Sequence, residues 1–137
     1  VLNTIQFVTI ASTGNAVNFG NLSQARRLSS SSSNSTRGIF AGGATPADVN
    51  TIDYITIASL GNATSFGSLS ALTEALGSCS SSLRALFGGG YVAPSAVATS
   101  SIQYVTIATT GNATSFGNLT VARRQVAGCS NGHGGLG

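Results

Sequence analysis

One passage of 24 residues occurs three times in this chain, and that repetition limits the folds open to it. The copies are TIQFVTIASTGNAVNFGNLSQARR at 4–27, TIDYITIASLGNATSFGSLSALTE at 51–74 and SIQYVTIATTGNATSFGNLTVARR at 101–124. The last matches the first at 17 of 24 positions and the second at 13 of 24. Ile5, Ile52 and Ile102 stand 47 and then 50 residues apart. A period of about 40–50 residues holding several short strands points to the blades of a β-propeller. The expected fold is all-β, with about three four-stranded antiparallel blades that form an incomplete ring or part of a larger propeller.

Each copy reads as the same series of elements. Thr4 to Ser12 is rich in β-branched and aromatic residues and reads as a strand with apolar groups on both faces, as suits a sheet covered on two sides. Gly14-Asn15 reads as the turn. Ala16 to Leu22 is the next strand, with Phe19 as its large anchor, repeated at Phe66 and Phe116. Each Phe is expected to be buried between blades. The Ser-rich run Ser29 to Ser33 would read alone as a flexible linker. Gln125 to Cys129 stands in the same place in the last copy, so both read as a third strand, kept small because another element approaches closely. Arg37 to Gly43 and Arg84 to Gly90 read as a fourth, inner strand ending in paired glycines. The segments Ala44 to Asn50 and Tyr91 to Ser100 differ between copies and read as loops. Variable loops on a fixed scaffold are where binding usually sits.

In this phasing, 1–137 is a single repeat domain. Residues 1–36 form a first blade without its inner strand, 37–83 and 84–130 form complete blades, and 131–137 begin a further inner strand. Propellers close with about four to eight blades, so the remaining strands must come from other copies or from further blades of a longer array. The absence of Met suits a processed or partial chain.

Composition narrows the partners. The charged residues are six Arg, two Asp and one Glu, for a net charge of +3. A nucleic-acid binder shows a dense basic face, which six scattered Arg do not make. No apolar run approaches the roughly 20 residues that cross a bilayer, so membrane insertion is not expected. Cys79 and Cys129 fall at equivalent points of two copies and are expected to be free, buried thiols, too far apart to pair.

The order G-[IL]-F-x-G-G, loop, aromatic-bearing strand and then x-x-F-G-x-L-x-x-A-R-R resembles the kelch repeat. Gly42-Gly43 and Gly88-Gly89 match the paired glycines of that family. Phe7, Tyr54 and Tyr104 match its first aromatic, while Phe19, Phe66 and Phe116 stand where kelch usually has Trp. Arg27 and Arg124 match its Arg, and the middle copy departs with Thr73 and Glu74. The resemblance covers nearly the whole chain and implies a propeller; it says little about activity. The runs D-Y-I-T-I-A-S and G-N-A-T-S-F-G-N-L-T-x-A-R-R also resemble repeats in virion proteins of tailed phages, particularly those infecting cyanobacteria and other aquatic bacteria. That likeness implies a virion location, as a tail fibre, adhesin or capsid-surface component that meets other virion proteins. The alternative is a secreted or cell-surface bacterial adhesin. A propeller enzyme of the galactose-oxidase or sialidase kind is the third class.

The third class needs clustered ligands or carboxylates. His133 is the only histidine, too little for a metal site. Asp48, Asp53 and Glu74 make no local carboxylate pair, and Asp53 is replaced by Gln6 and Gln103 in the other copies, which reads as an exposed site. No nucleophile elbow is present. No catalytic residue, metal or cofactor is therefore expected. The Arg pairs Arg26-Arg27 and Arg123-Arg124 have the chemistry to contact an anion or an acidic host-surface glycan, or else to brace a neighbouring loop by donating to carbonyls. Asn21, Asn34, Asn62, Asn112 and Asn118 each begin N-x-S/T, read as a by-product of an Asn- and Thr-rich repeat.

Overall fold

The structure is a computed structural model that describes residues 1–130, and its regular elements in that range are all strands. In chain order they are β1 (Thr4–Phe7), β2 (Val17–Asn21), β3 (Ser30–Ser33), β4 (Arg37–Ala41), β5 (Ala44–Thr45), β6 (Ala47–Asp48), β7 (Thr51–Thr56) and β8 (Thr64–Ser68). After them come β9 (Thr73–Glu74), β10 (Gly77–Ser80), β11 (Arg84–Gly88), β12 (Tyr91–Val92), β13 (Val97–Ala98), β14 (Ser101–Thr106) and β15 (Thr114–Asn118). Two sheets have four antiparallel strands, in the orders β3-β4-β7-β8 and β10-β11-β14-β15. A third sheet consists of β1 and β2 alone.

The repeated passage makes one hairpin three times, β1-β2, β7-β8 and β14-β15. Each is bulged at the same place. Ile52 pairs with Gly67 and Asp53 with Ser65, so Phe66 is left as an extra residue outside the ladder. Phe19 and Phe116 are left out in the same way. A bulge frees backbone groups and re-aims side chains. Here it leaves the Phe19 and Phe66 carbonyls free to accept from the next repeat and sets each Phe ring edge-on to the first aromatic of its hairpin. The ring centroids are 6.0 Å apart for Phe7 and Phe19, 5.8 Å for Tyr54 and Phe66, and 6.1 Å for Tyr104 and Phe116.

The two large sheets pack face against face. Ile39, Ala41, Ile52, Phe66 and Leu69 come from one side, and Leu76, Ala85, Phe87, Val105 and Ile107 from the other. Small residues allow β3 and β10 to lie against each other. Ser78 Oγ donates to the Ser31 carbonyl at 2.5 Å and Ser80 Oγ to the Ser33 carbonyl at 2.7 Å. Residues 126–130 then run along β10, with the Ser130 hydroxyl donating to the Ser80 carbonyl. This close approach accounts for the Ser-rich run.

Four expectations change. The Ser-rich strand β3 pairs with β4, Ser30 opposite Ala41 and Ser33 opposite Gly38. The four-stranded sheets therefore span residues 30–68 and 77–118, not 37–83 and 84–130. Gly14-Asn15 does not make the hairpin turn, which closes earlier through Ser12 N–H to the Thr9 carbonyl at 3.2 Å. Gln125 to Cys129 forms no strand. The equivalent of Gly42-Gly43, with φ of 64° and 106°, is Gly89-Gly90, with 67° and 109°. Gly88 instead lies inside β11, opposite Ile102. The expected further strand at 131–137, and His133 with it, lie outside the described residues.

Candidate functional site

The most developed polar and apolar construction in this molecule is the joint where one repeat meets the next, and it occurs twice. Gly61 N–H donates to the freed Phe19 carbonyl at 2.9 Å, and Ala63 N–H donates to the Asn21 carbonyl at 2.8 Å. Gly111 and Ala113 do the same to Phe66 at 2.8 Å and Ser68 at 2.9 Å. The side chain between them completes the clasp: Asn62 Oδ1 accepts from Asn21 N–H at 3.0 Å, and Asn112 Oδ1 from Ser68 N–H at 3.1 Å. The Gly-Asn-Ala passage is thus a docking segment that meets the bulged Phe-Gly of the preceding hairpin. Only glycine fits after that Phe at the two joints. A Cβ on Gly20 or Gly67 would run into the Gly61 or Gly111 carbonyl.

Asp53 is fully buried at the first joint, against its reading as an exposed site. It accepts from Ser23 N–H at 3.2 Å and from Ser23 Oγ at 2.7 Å, and it pairs with Arg26 at 3.1 Å. Burial lowers the Arg26 pKa from its ordinary value, opposed by the charge and hydrogen bond of Asp53. Arg26 Nη2 also donates to the Phe40 carbonyl at 3.2 Å. At the second joint the same two places hold Thr73 and Gln103, and Gln103 Oε1 accepts from Ser70 N–H at 2.8 Å. The acid and the base have been exchanged together for neutral residues, so replacement of Asp53 by Gln reflects a change of partner and not exposure. A buried carboxylate without its Arg would be strongly destabilising.

Arg26 is therefore a structural brace with no surface open to a glycan. Arg27, Arg123 and Arg124 lie on the surface. Arg27 takes part in the fold through backbone bonds to Ala44 at 3.1 and 2.9 Å. Arg124 lies over the Tyr91 ring at 5.0 Å, and Arg123 Nε reaches the Val121 carbonyl at 3.4 Å. Arg37 is the brace that the sequence reading missed. It lies 4.6 Å over the Tyr54 ring and donates to the Ile107 and Ala108 carbonyls of the next repeat, both at 2.9 Å. Its alignment with Arg84, 47 residues on, was the available signal.

The other predicted residues divide by whether the neighbouring repeat covers them. Phe19 and Phe66 are buried as expected, and Phe116 is 52% exposed because no clasp covers it among the described residues. Cys79 is half-buried and Cys129 exposed, both unbonded, which corrects the expectation of two buried thiols. Beside them opens a groove of about 460 Å³, lined among others by Leu83, Arg84, Leu86 and Phe116. The differing loops form the hairpins β5-β6 and β12-β13, whose tips at Pro46 and Pro94 face solvent. Among the described residues no three His, Cys, Asp or Glu side chains gather as metal ligands.

No family model matches this chain. No curated protein matches it either.

Proposed function

We propose that this chain is a run of kelch-like propeller blades serving as a structural part of a tailed-phage particle. The role is that of a tail fibre, adhesin or capsid-surface component, working by protein–protein assembly with other copies and other virion proteins. The observation that supports this most is the twice-built joint. The residues that recur in the sequence are spent on seating one repeat against the next, through Gly-Asn-Ala on Phe-Gly and Arg37 on the following turn. A chain organised in this way is a building element. The hairpin tips at Pro46 and Pro94, with Arg27, Arg123 and Arg124 on the surface, supply a nearly neutral, weakly cationic surface suited to an acidic host-surface glycan. The chemistry belongs to contact and not to turnover.

The experiment is immunogold electron microscopy with antibody to the 137-residue chain, on purified phage particles and on the surface of uninfected host cells. Label at regular positions on tails or capsids is the expected result. Label on the cells and none on particles would replace the reading with the bacterial surface adhesin.

A further inference from the structure

The two joints inside the chain show what each repeat offers its neighbours, and at both ends of the stack one half of a joint is left uncovered by the described residues. On the leading side are Val8, Ile10 and the Gly14-Asn15-Ala16 segment. Their counterparts at the second joint are Val105, Ile107 and Gly111-Asn112-Ala113. Ile107 is 0% exposed where it meets the preceding sheet, and Ile10 is 97% exposed. On the trailing side are Arg84, Leu86 and the bulged Phe116-Gly117. Their counterparts are Arg37, Ile39 and Phe66-Gly67. Phe66 is 3% exposed under its clasp and Phe116 is 52% exposed. A Cβ on Gly67 would strike the Gly111 carbonyl, whereas one on Gly117 meets nothing within 4 Å among the described residues.

We infer that one copy of this chain docks head-to-tail on another, the Ile10 and Gly14-Asn15-Ala16 edge of one seating on the Arg84, Leu86 and Phe116 edge of the next. This rests on the assembly reading above and names the contact. The clasp, the apolar contacts and the Arg brace of the internal joint each have a match across the proposed one; the departure is Arg123, at the place of Arg26, which meets Gln6 and lies on the surface. Gly14 N–H is placed for the Phe116 carbonyl, which the bulge has freed as it freed those of Phe19 and Phe66. Asn15 repeats Asn62 and Asn112, whose side chains accept from a backbone N–H of the preceding repeat. Arg84 already lies 4.5 Å over the Tyr104 ring, in the pose from which Arg37 reaches the turn carbonyls of Ile107 and Ala108. The matching turn carbonyls on the leading edge are those of Ile10 and Ala11. Gln6 stands where Gln103 stands, and Thr120 stands where Ser70 donates its N–H to that side chain.

A second copy is the occupant because it carries the very segment the socket takes twice within one chain. The two edges differ, so the contact is heterologous and generates rings or open filaments, not a two-fold dimer. That difference provides the test. Ile10→Asp blocks the leading edge and leaves the trailing one intact; Phe116→Asp does the reverse. Both sites face solvent, so circular dichroism should show each variant folded; Arg84→Glu replaces Phe116→Asp if that variant does not fold. By light scattering on a sizing column, the wild-type chain should run as a multiple of its own mass and each variant alone as a monomer. An equal mixture of the two variants should give a species of twice the mass of one chain. A monodisperse wild-type monomer, or a mixture that stays monomeric, would overturn the inference. Monomers whose antibody still labels particles at regular positions would remove this contact while leaving the proposed function in place.

Discussion

The exchange of charged for neutral residues between the two joints provides a quantitative test of what holds repeats together. Arg26 and Asp53 at the first joint correspond to Thr73 and Gln103 at the second. Both Arg26 and Asp53 side chains are fully buried. Arg26→Thr leaves the Asp53 carboxylate in the interior with only the Ser23 N–H and hydroxyl as donors. The expected cost is about 3 kcal/mol, the lower part of the range for breaking a buried pair. Asp53→Gln keeps an acceptor for Ser23 N–H, as Gln103 does for Ser70, but leaves a buried guanidinium whose one remaining protein acceptor is the Phe40 carbonyl. That change should cost about 3–5 kcal/mol. The double variant rebuilds the second joint at the first and should lie within about 1 kcal/mol of wild type, since replacing both members of a buried pair is often neutral. Added together, the single costs come to about 6 kcal/mol or more, so the coupling in the double-mutant cycle is about 5 kcal/mol. Urea unfolding with unchanged m-values measures it, at a protein concentration low enough to keep copies apart. Additive losses in the double variant would refute the claim that the two joints are chemical alternatives of one design.

The remaining predictions concern the same joints. Phe66→Ala should cost about 3–5 kcal/mol, the usual range for a core Phe, and Phe116→Ala in the monomer about 1 kcal/mol, since that ring is half exposed and loses chiefly its contact with Tyr104; equal losses in urea unfolding would contradict the placement of the clasp. Gly67→Ala should destabilise by about 1–3 kcal/mol, as forced overpacking does, and Gly14→Ala should stay within about 0.5 kcal/mol, as for an open surface site; a thermal melt of both variants checks the contrast. Arg37→Ala should increase hydrogen exchange at the turn around Thr106 to Thr109, whose carbonyls at Ile107 and Ala108 it holds, while Arg84→Ala in the monomer should leave that turn unchanged.

The repeats made much of the fold legible. Strand positions within a copy follow from its β-branched and aromatic residues, and β7, β8 and β4 fall where the pattern puts them. Blade phase was not legible, because the Ser-run β3 has neither the period nor the bulk of a strand. What makes it one is its pairing with β4 and the lack of room beside β10, both long-range facts. The paired glycines were misread in the middle copy because Gly88-Gly89-Gly90 offers two overlapping pairs, and only the left-handed φ values at Gly89 and Gly90 decide between them. Gly14-Asn15 has the composition of a hairpin turn, so its use as a docking segment is invisible until a neighbouring carbonyl lies beside it. Asp53 was misread because each copy was compared with the others position by position. The informative comparison takes two positions at once, 53 with 26 and 103 with 73.

That paired change bears on how repeats find their correct neighbours. The backbone bonds of the clasp are the same at both joints, so they cannot tell one repeat from another. The side chains can. Were the Gln103 hairpin to seat on the Arg26 surface, a buried guanidinium would lose its carboxylate. Were the Asp53 hairpin to seat on the Thr73 surface, a buried carboxylate would lose its base. Each wrong seating costs several kcal/mol, while the observed one sets Arg26 against Asp53 and puts neutral residues at both of the equivalent places of the second joint. Discrimination of this kind works by penalising the wrong partner, not by improving the right one. The leading edge of a second copy brings Gln6 to a trailing edge that carries Arg123 at the place of Arg26, so a contact between copies requires the Arg123 side chain to stay at the surface, where it already lies beside the Val121 carbonyl. A clasp shared by all repeats supplies the attraction, and one buried ion pair placed at a single joint supplies the order.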